Sequence, residues 1–474
     1  MIRRPLVIAL AAAVSLSALL PATASAEDLL QTYELARGSD PQLQAAESNR
    51  LAIREGSVQT RAAMLPQIDG TASISKARNY ERGDASLNAD GTLSGGNSES
   101  ETTSRGTEVR LSQMVYDRAN FTRHKSAKAL SEASDFQLLA AGNDLITRTS
   151  AAYFDVLIGL ESLAAAEAAE AALKKQFDYA SKRLEVGLAP ITDVHEARAQ
   201  YDRARANTIL ARNEVEDRYQ ALAEITGQQV RNVKGLPKDF QPSLPETRDA
   251  EGWVQTAIDN NPALRAKELQ VASTEADVQT ARAGHWPRLY FNGSYGDNES
   301  WGDSVVRDIS RDLDSRSFGP SVGLTLSVPI YSGGATQSGV RQALARRDVA
   351  SDELEQQKRG LVRNTRNAYQ TLVASISEVE ARRLALVSAQ SAYDASQVGL
   401  EVGTRTVLDV LQNQNNLFTA QLEYARARYN HLQNRLLLEQ AAGTLDVADV
   451  QDVNRLLTAN TEAQLPSSDV PTQN

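Results

Sequence analysis

The sequence has no cysteine, which excludes a disulfide frame, a thiolate metal site, a nucleophilic Cys and an acylated lipoprotein Cys. Aromatic residues are only 5% of its 474 residues, few for a compact aromatic-packed core and more in keeping with long helices. It also lacks a basic surplus. With a formal net charge of −10, a protein that tracks nucleic-acid phosphates is not expected. Histidine is scarce: His124, His195, His285 and His431 lie far apart, with no H-E-x-x-H arrangement, so no metal centre is expected. Beyond the amino-terminal leader, no stretch supplies the roughly 18 apolar residues of a spanning helix. If the remaining chain meets a membrane, it must do so at a surface or through strands.

The leader is residues 1–26. Arg3 and Arg4 form a positive start, Pro5 to Leu20 is apolar, and Ala24-Ser-Ala26 fits the small-residue cleavage rule. Its removal takes two arginines and leaves 48 basic against 60 acidic residues, a net of −12. The mature chain is thus expected to begin near Glu27, outside the cytoplasm.

What is present is a repeat. A shift of 221 aligns Asp40-Pro41-Gln-Leu43 with Asn261-Pro262-Ala-Leu264, and Pro66 with Pro287. Farther on, a shift of 216 aligns Ala119 with Ala335, Tyr153 with Tyr369, Val186-Gly187 with Val402-Gly403, Asp193 with Asp409 and Gly227 with Gly443. The difference of five residues falls in the Gly/Ser-rich middle of each half. The expected organisation is therefore a repeat over 27–227, a linker over 228–250, a second repeat over 251–443 and a tail over 444–474.

Each repeat opens helically and then changes period. Ile68, Gly70, Ala72 and Ile74 alternate with Asp69, Thr71, Ser73 and Ser75, and after a Gly/Ser/Asn-rich loop Val109, Leu111, Gln113 and Val115 alternate again. In the second repeat Leu289, Phe291, Gly293 and Tyr295 form one face, and Phe318, Val322, Leu324, Leu326, Val328 and Ile330 another. These alternations predict β-hairpins at 66–118 and 287–331, four strands with the dyad pattern of a membrane barrel.

Long helices follow, expected at 119–185 and 335–401, with return helices at 192–226 and 406–440. Some 65 residues extend roughly 100 Å at 1.5 Å each. Leu173, Phe177, Ala180 and Leu184 mark a coiled-coil seam, continued by Ala197, Tyr201, Ala204, Thr208 and Val215 after the break at Gly187 to Pro190. Four strands cannot close a barrel, and open edges are not tolerated in lipid. The chain must oligomerise; three copies would supply twelve strands.

Gly187-Leu-Ala-Pro-Ile-Thr-Asp-Val194, Val402-Gly-Thr-Arg-Thr-Val-Leu-Asp-Val-Leu411 and Leu326-Ser-Val-Pro-Ile-Tyr-Ser-Gly-Gly334 together resemble the TolC family of outer-membrane efflux and type I secretion proteins. The resemblance covers about Asp28 to Leu445. It implies a mixed α and β membrane protein and a homotrimer. A long antiparallel coiled-coil α-barrel would be continuous with a transmembrane antiparallel β-barrel, four strands per protomer and twelve per trimer. The linker and part of the tail would form an equatorial belt, and the last dozen residues read as disordered. It further implies the outer membrane as location, with helices in the periplasm. The expected partners are a periplasmic adaptor, an inner-membrane ABC or proton-driven transporter and outer-membrane lipid, without nucleic acid or cofactor.

Gating rather than catalysis is what the resemblance implies. By motif, Arg405 would bond Thr192 and Asp193 to hold the periplasmic helix tips shut, with Gly187 and Gly403 at the turns. A planar guanidinium with five donors suits a Thr/Asp acceptor pair. Asp409 matches the first position of an acidic entrance constriction. The second is Gln412, and a usual network Tyr is Leu400, so a less charged ring is expected. Each feature also has a plainer account. Arg405 and Asp409 fit an i, i+4 surface pair, and Thr192 or Asp193 a helix cap. Gly333-Gly334 reads as a strand-to-helix turn. Gly319-Pro-Ser321-Val-Gly323 matches the hydrolase elbow pattern, but a strand rather than a helix follows Ser321. No catalytic constellation is found. The alternative to an exit duct is a soluble periplasmic coiled-coil adaptor or scaffold.

Overall fold

The computed structural model describes residues 28–460 except 85, 90, 92, 95, 189, 238, 245–248 and 307–308. The expected leader at 1–26 and the end of the tail lie outside the described residues. The first half runs α1 (Leu29–Ser39), α2 (Pro41–Ala62), β1 (Gln67–Glu81), the short β2 (Ser86–Leu87) and β3 (Leu93–Ser94), β4 (Ser98–Asp117), α3 (Arg118–Glu185) and α4 (Ile191–Thr226). After β5 (Lys234–Gly235) come α5 (Ala250–Asn260), α6 (Pro262–Arg282), β6 (Arg288–Val306), β7 (Ile309–Asp312), β8 (Ser315–Ser327), α7 (Ala335–Glu401) and α8 (Val407–Ala442). Two further elements end the described chain, α9 (Val447–Leu456) and β9 (Ala459–Asn460).

The repeat reaches down to the caps. Asp28 and Asp249 cap α1 and α5, each accepting a hydrogen bond from the backbone N–H three residues on. Asp40 and Asn261 each end one helix and cap the next; their side chains accept from Leu43 N at 2.9 Å and Leu264 N at 3.1 Å. Such a residue needs a short side-chain acceptor on an extended backbone, with φ −63° and ψ 119° at both places. α4 and α8 are 36 residues each. Both stop at a left-handed glycine, Gly227 and Gly443.

The chain divides into two compact units, and each takes segments from both repeats. One comprises residues 48–136 and 265–357. Its sheet is antiparallel in the order β1-β4-β6-β8, with β7 pairing the far end of β6. The two hairpins expected from alternation are the β1/β4 and β6/β8 pairs, joined by β4 against β6. Among the described residues neither β1 nor β8 has a second strand partner. Beside the sheet, Ser126 and Ser273 hydroxyls meet at 2.9 Å, and Lys267 pairs Glu353 at 2.9 Å. Helix α2 buries none of its residues, and Leu51 and Val58 stand about half exposed.

The other unit comprises the described residues of 1–47, 137–264 and 358–474. Here α3 and α4 pack along the expected seam. Phe177 stacks on Tyr201 with ring centroids 6.2 Å apart, and Ala180, Ala197, Ala204 and Thr208 are buried. Gly159 admits close approach: a Cβ there would stand 3.0 Å from Arg218 Cδ. The 228–244 segment is pinned rather than loose. Lys234 N–H donates to the Tyr153 hydroxyl at 2.8 Å, which donates back to Lys234 O at 3.0 Å. Leu236 N–H donates to the Tyr429 hydroxyl at 3.3 Å. The tail is ordered through α9, and β9 pairs β5. No helix among the described residues is long and apolar enough to cross a membrane.

Candidate functional site

Two features are candidates for function: the helix-to-helix turns and the faces of the sheet. At the first turn Gly187 has φ +75°, and at the second Gly403 has φ +77°. Both close the same motif. Gly187 N–H donates to Leu184 O at 2.9 Å and Leu188 N–H to Arg183 O at 2.7 Å. In the second repeat Gly403 N–H donates to Leu400 O at 3.2 Å and Thr404 N–H to Gly399 O at 2.8 Å. These paired bonds satisfy the last carbonyls of a helix and require the left-handed region that glycine enters freely.

The turns diverge in how the return helix is capped. Thr406 caps α8: its hydroxyl accepts from Asp409 N–H at 3.2 Å and donates to Asp409 Oδ2 at 2.8 Å, while Thr406 N–H donates to the same oxygen at 2.9 Å. These bonds hold the Asp409 carboxyl below its usual value, with the nearby Arg405 guanidinium adding to the effect. Arg405 therefore precedes the helix instead of standing on it, which removes the expected i, i+4 helical pair. In the first repeat the cap is Pro190, which makes no side-chain bond. Neither Thr192 nor Asp193 is the cap. Among the described residues their side chains make no hydrogen bond or ion pair, although Asp193 in the first turn suits the helix dipole.

Arg405 is exposed, and no bond joins it to Thr192 or Asp193 within the chain among the described residues. Its stem lies over Gly399, where a Cβ would come within 2.6 Å of Arg405 Cγ. Gly399 is thus part of the Arg405 seat; it stands four residues before Gly403 and the repeat did not signal it, since Arg183 occupies the matching position before Gly187. Gln412, one turn beyond Asp409, donates to Asn416 Oδ1 at 3.2 Å. It also lines a cavity of about 330 Å³ with Leu173, Ala204, Leu411, Gln414 and Phe418. Gln414 is buried, and its Nε2 has no partner among the described residues.

Three polar clusters escaped the sequence reading. Arg148 grips Asp40 with two nitrogens, at 2.9 and 3.3 Å, and Asp144 at 2.8 Å. Burial pushes Asp40 up, but the Arg148 bonds and two backbone N–H groups outweigh it and hold the carboxyl below its usual value. Arg428, nearly buried, bonds Glu161 at 3.1 Å and Pro237 O at 3.1 Å beneath the linker. Glu439, buried at the end of α8, faces Arg435 at 3.4 Å and the Asp449 carboxyl of α9. Burial and the Asp449 charge push it up to about 8. The only available signal was an acidic residue inside an apolar helix stripe.

On the sheet, directly opposite residues share a face. Ile68–Leu111–Gly293–Val322 and Gly70–Val109–Tyr295–Pro320 are adjacent rows of one face. Between them in register, Asp69–Arg110–Ser294–Ser321 belongs to the other. The apolar face is uncovered: Ile68, Phe318, Val322 and Leu324 are each about 70% exposed. A soluble sheet would bury such a face. Gly333 and Gly334, at φ +63° and +85°, form the turn into α7, and Ser321 lies within β8 with no elbow. Among the described residues no group of His, Asp or Glu could hold a metal ion.

The family described as outer membrane efflux protein matches residues 32–228 and 253–444. The outer membrane protein TolC of Vibrio cholerae serotype O1 is 33% identical over 429 residues, covering 90% of this chain and 93% of its own. The alkaline protease secretion protein AprF of Pseudomonas aeruginosa is 28% identical, covering 91% and 88%. Among solved structures, the CmeC outer membrane channel of Campylobacter jejuni superposes with a TM-score of 0.72, covering 91% of this chain and 90% of its own at 18% identity.

Proposed function

The chain belongs to the outer membrane efflux protein family, and from that footing we propose that three copies form a channel-tunnel whose periplasmic helix tips open and close. The family is one of transport proteins of the outer membrane rather than of enzymes, and it does not favour a soluble adaptor. The observation that carries the proposal is a sheet with one uncovered apolar face, one polar face and two outer strands that each lack a second partner among the described residues. Lipid tolerates neither unpaired edge. Pairing β1 of one copy with β8 of the next closes a barrel, and three copies give twelve strands around a polar lumen. The bare flank of α2, with Leu51 and Val58 exposed, supports burial against another copy.

Arg405 is the gate's cation and Thr192 with Asp193 its acceptors. Since each is unengaged with the other in the single chain, the link is made between protomers. An exposed link of this kind contributes roughly 0.2–1 kcal/mol, so three together bias the closed state without locking it. Asp409 and Gln412 form the constriction behind it, with one carboxylate per chain. The conduit then serves an efflux or type I secretion assembly, with a periplasmic adaptor and an inner-membrane transporter below. Outer-membrane lipid surrounds the barrel.

Single-channel conductance of the purified trimer, wild type against Arg405→Ser, tests this. The expected result is a small conductance that rises several-fold in the variant. Unchanged conductance in an assembled trimer removes Arg405 from the gate.

A further inference from the structure

The outer half of the sheet places its charge on the unexpected face. Continuing the apolar face toward the loops, the rows read Ile74–Arg105–Glu299–Arg316, then Lys76–Thr103–Trp301, then Arg78–Glu101–Asp303. The interleaved rows of the polar face read Ser73–Gly106–Asn298–Ser317, Ser75–Ser104–Ser300–Ser315 and Ala77–Thr102–Gly302. None of the latter carries charge. A water-filled lumen is where polar side chains belong in a barrel, yet these three lumen rows are small and neutral, charge returning to that face only at Arg311 and Glu81 in the outermost rows, while the outward rows are ionic.

Position sharpens the point. A strand crosses the hydrocarbon in about 9–11 residues, whereas β4 has 20 and β6 has 19. Charge on this face begins with Asp297, in the row Ala72–Thr107–Asp297–Phe318, and continues outward from the level of Ile74, and Trp301 and Tyr80 share that face in the manner of interfacial anchors. Arg316 grips Asp297 at 2.8 and 3.1 Å, Arg78 Nε bonds Glu99 at 2.7 Å, and Lys76 pairs Glu101. Exposed pairs of this kind add little stability, so folding alone does not account for concentrating them on one face.

We propose that this outward belt, centred on Lys76, Arg78, Arg105 and Arg316, binds the phosphate-bearing headgroups of a glycolipid in the adjoining leaflet. The inference rests on the reading that the apolar face looks toward lipid. A guanidinium has five donors, so Arg78 and Arg316 can keep a carboxylate on one edge and take phosphate oxygens on the other. Neighbouring carboxylates, Glu299 and Asp303 among them, offer oxygens to divalent cations that bridge to further phosphates. From Arg105 to Glu101 the belt spans about 14 Å of strand at roughly 3.4 Å per residue. That is deeper than the single phosphate level of an ordinary phospholipid, and it suits a sugar headgroup bearing several phosphates.

The test uses the assembled protein in nanodiscs of phosphatidylcholine doped with bis-phosphorylated lipid A or with the same glycolipid dephosphorylated. Native mass spectrometry reads glycolipid bound per assembly. The wild type is expected to prefer the phosphorylated form by about tenfold, less in high salt or with chelator. Together, Lys76→Gln, Arg78→Gln, Arg105→Gln and Arg316→Gln should abolish the preference. An equal charge change outside the sheet, at Lys174, Lys175, Lys182 and Arg198, should leave it intact. Equal retention of the two glycolipids by the wild type, which needs no variant to assemble, overturns the inference while leaving the channel reading in place. A chain that runs as a soluble monomer overturns the channel reading, and this inference with it.

Discussion

Glu439→Gln tests how α9 is held against the end of α8. In the closed arrangement Glu439 is only 5% exposed. Arg435 approaches it from its own helix, and Asp449 from α9, while Asp452 of α9 lies 3.8 Å from Arg435. Burial raises both Glu439 and Asp449 above their usual values, Glu439 to about 8, so Glu439 is held protonated at neutral pH. When α9 opens, water reaches Glu439 and its value returns toward 4.5 from about 8. The closed state thus binds more protons than the open one across that window. Its advantage is complete below pH 4.5 and falls by about 1.4 kcal/mol per pH unit as pH rises through the window. Above pH 8 it levels off, after an upper-bound loss on the order of 5 kcal/mol. Glutamine keeps the shape and stays neutral, so the variant should lose this slope and hold α9 closed at high pH. Hydrogen exchange of the Val450 to Val453 amides, corrected for intrinsic rates between pH 5 and 9, reads the opening free energy directly. A flat wild-type profile, or a variant that keeps the wild-type slope, would refute the account of a buried, protonated Glu439.

Two further outcomes follow from the polar and glycine contacts. Arg148→Met should cost about 3 kcal/mol, because it leaves the Asp40 carboxylate buried without its partner; thermal denaturation at pH 7 measures this. Since Asp40 is held below its usual 3.8, the pair's contribution is present above that pH and fades as pH falls through the lowered folded value, so the difference between proteins should close in acid. Gly360→Ala and Gly399→Ala form a matched pair in α7. A Cβ at Gly360 meets open space, whereas at Gly399 it meets Arg405 Cγ. The first should stabilise by about 0.5–1 kcal/mol. The second should forfeit that gain and displace Arg405, raising single-channel conductance, and equal effects at the two sites would show that Gly399 does not seat Arg405.

Sequence alone determined whatever depends on local period and spacing. The two alternating pairs became β1/β4 and β6/β8, and the long helices stop at Gly187 and Gly403, because strand parity, helix propensity and left-handed glycine act within a few residues. The same alternation gave the four strands whose sheet, among the described residues, has two outer edges. Tertiary structure decided what depends on residues brought together from afar. Asp40 meets Arg148 across 108 positions, and Tyr153 and Tyr429 pin the linker that looked merely polar. Although the repeat made Asp193 and Asp409 look equivalent, Thr406 draws Asp409 into a cap while Pro190 has no hydroxyl to do the same for Asp193. Register, not composition, sorted most charges of the sheet's outer half onto one face, because a side chain's neighbour across a sheet is set by pairing and not by its place in the chain.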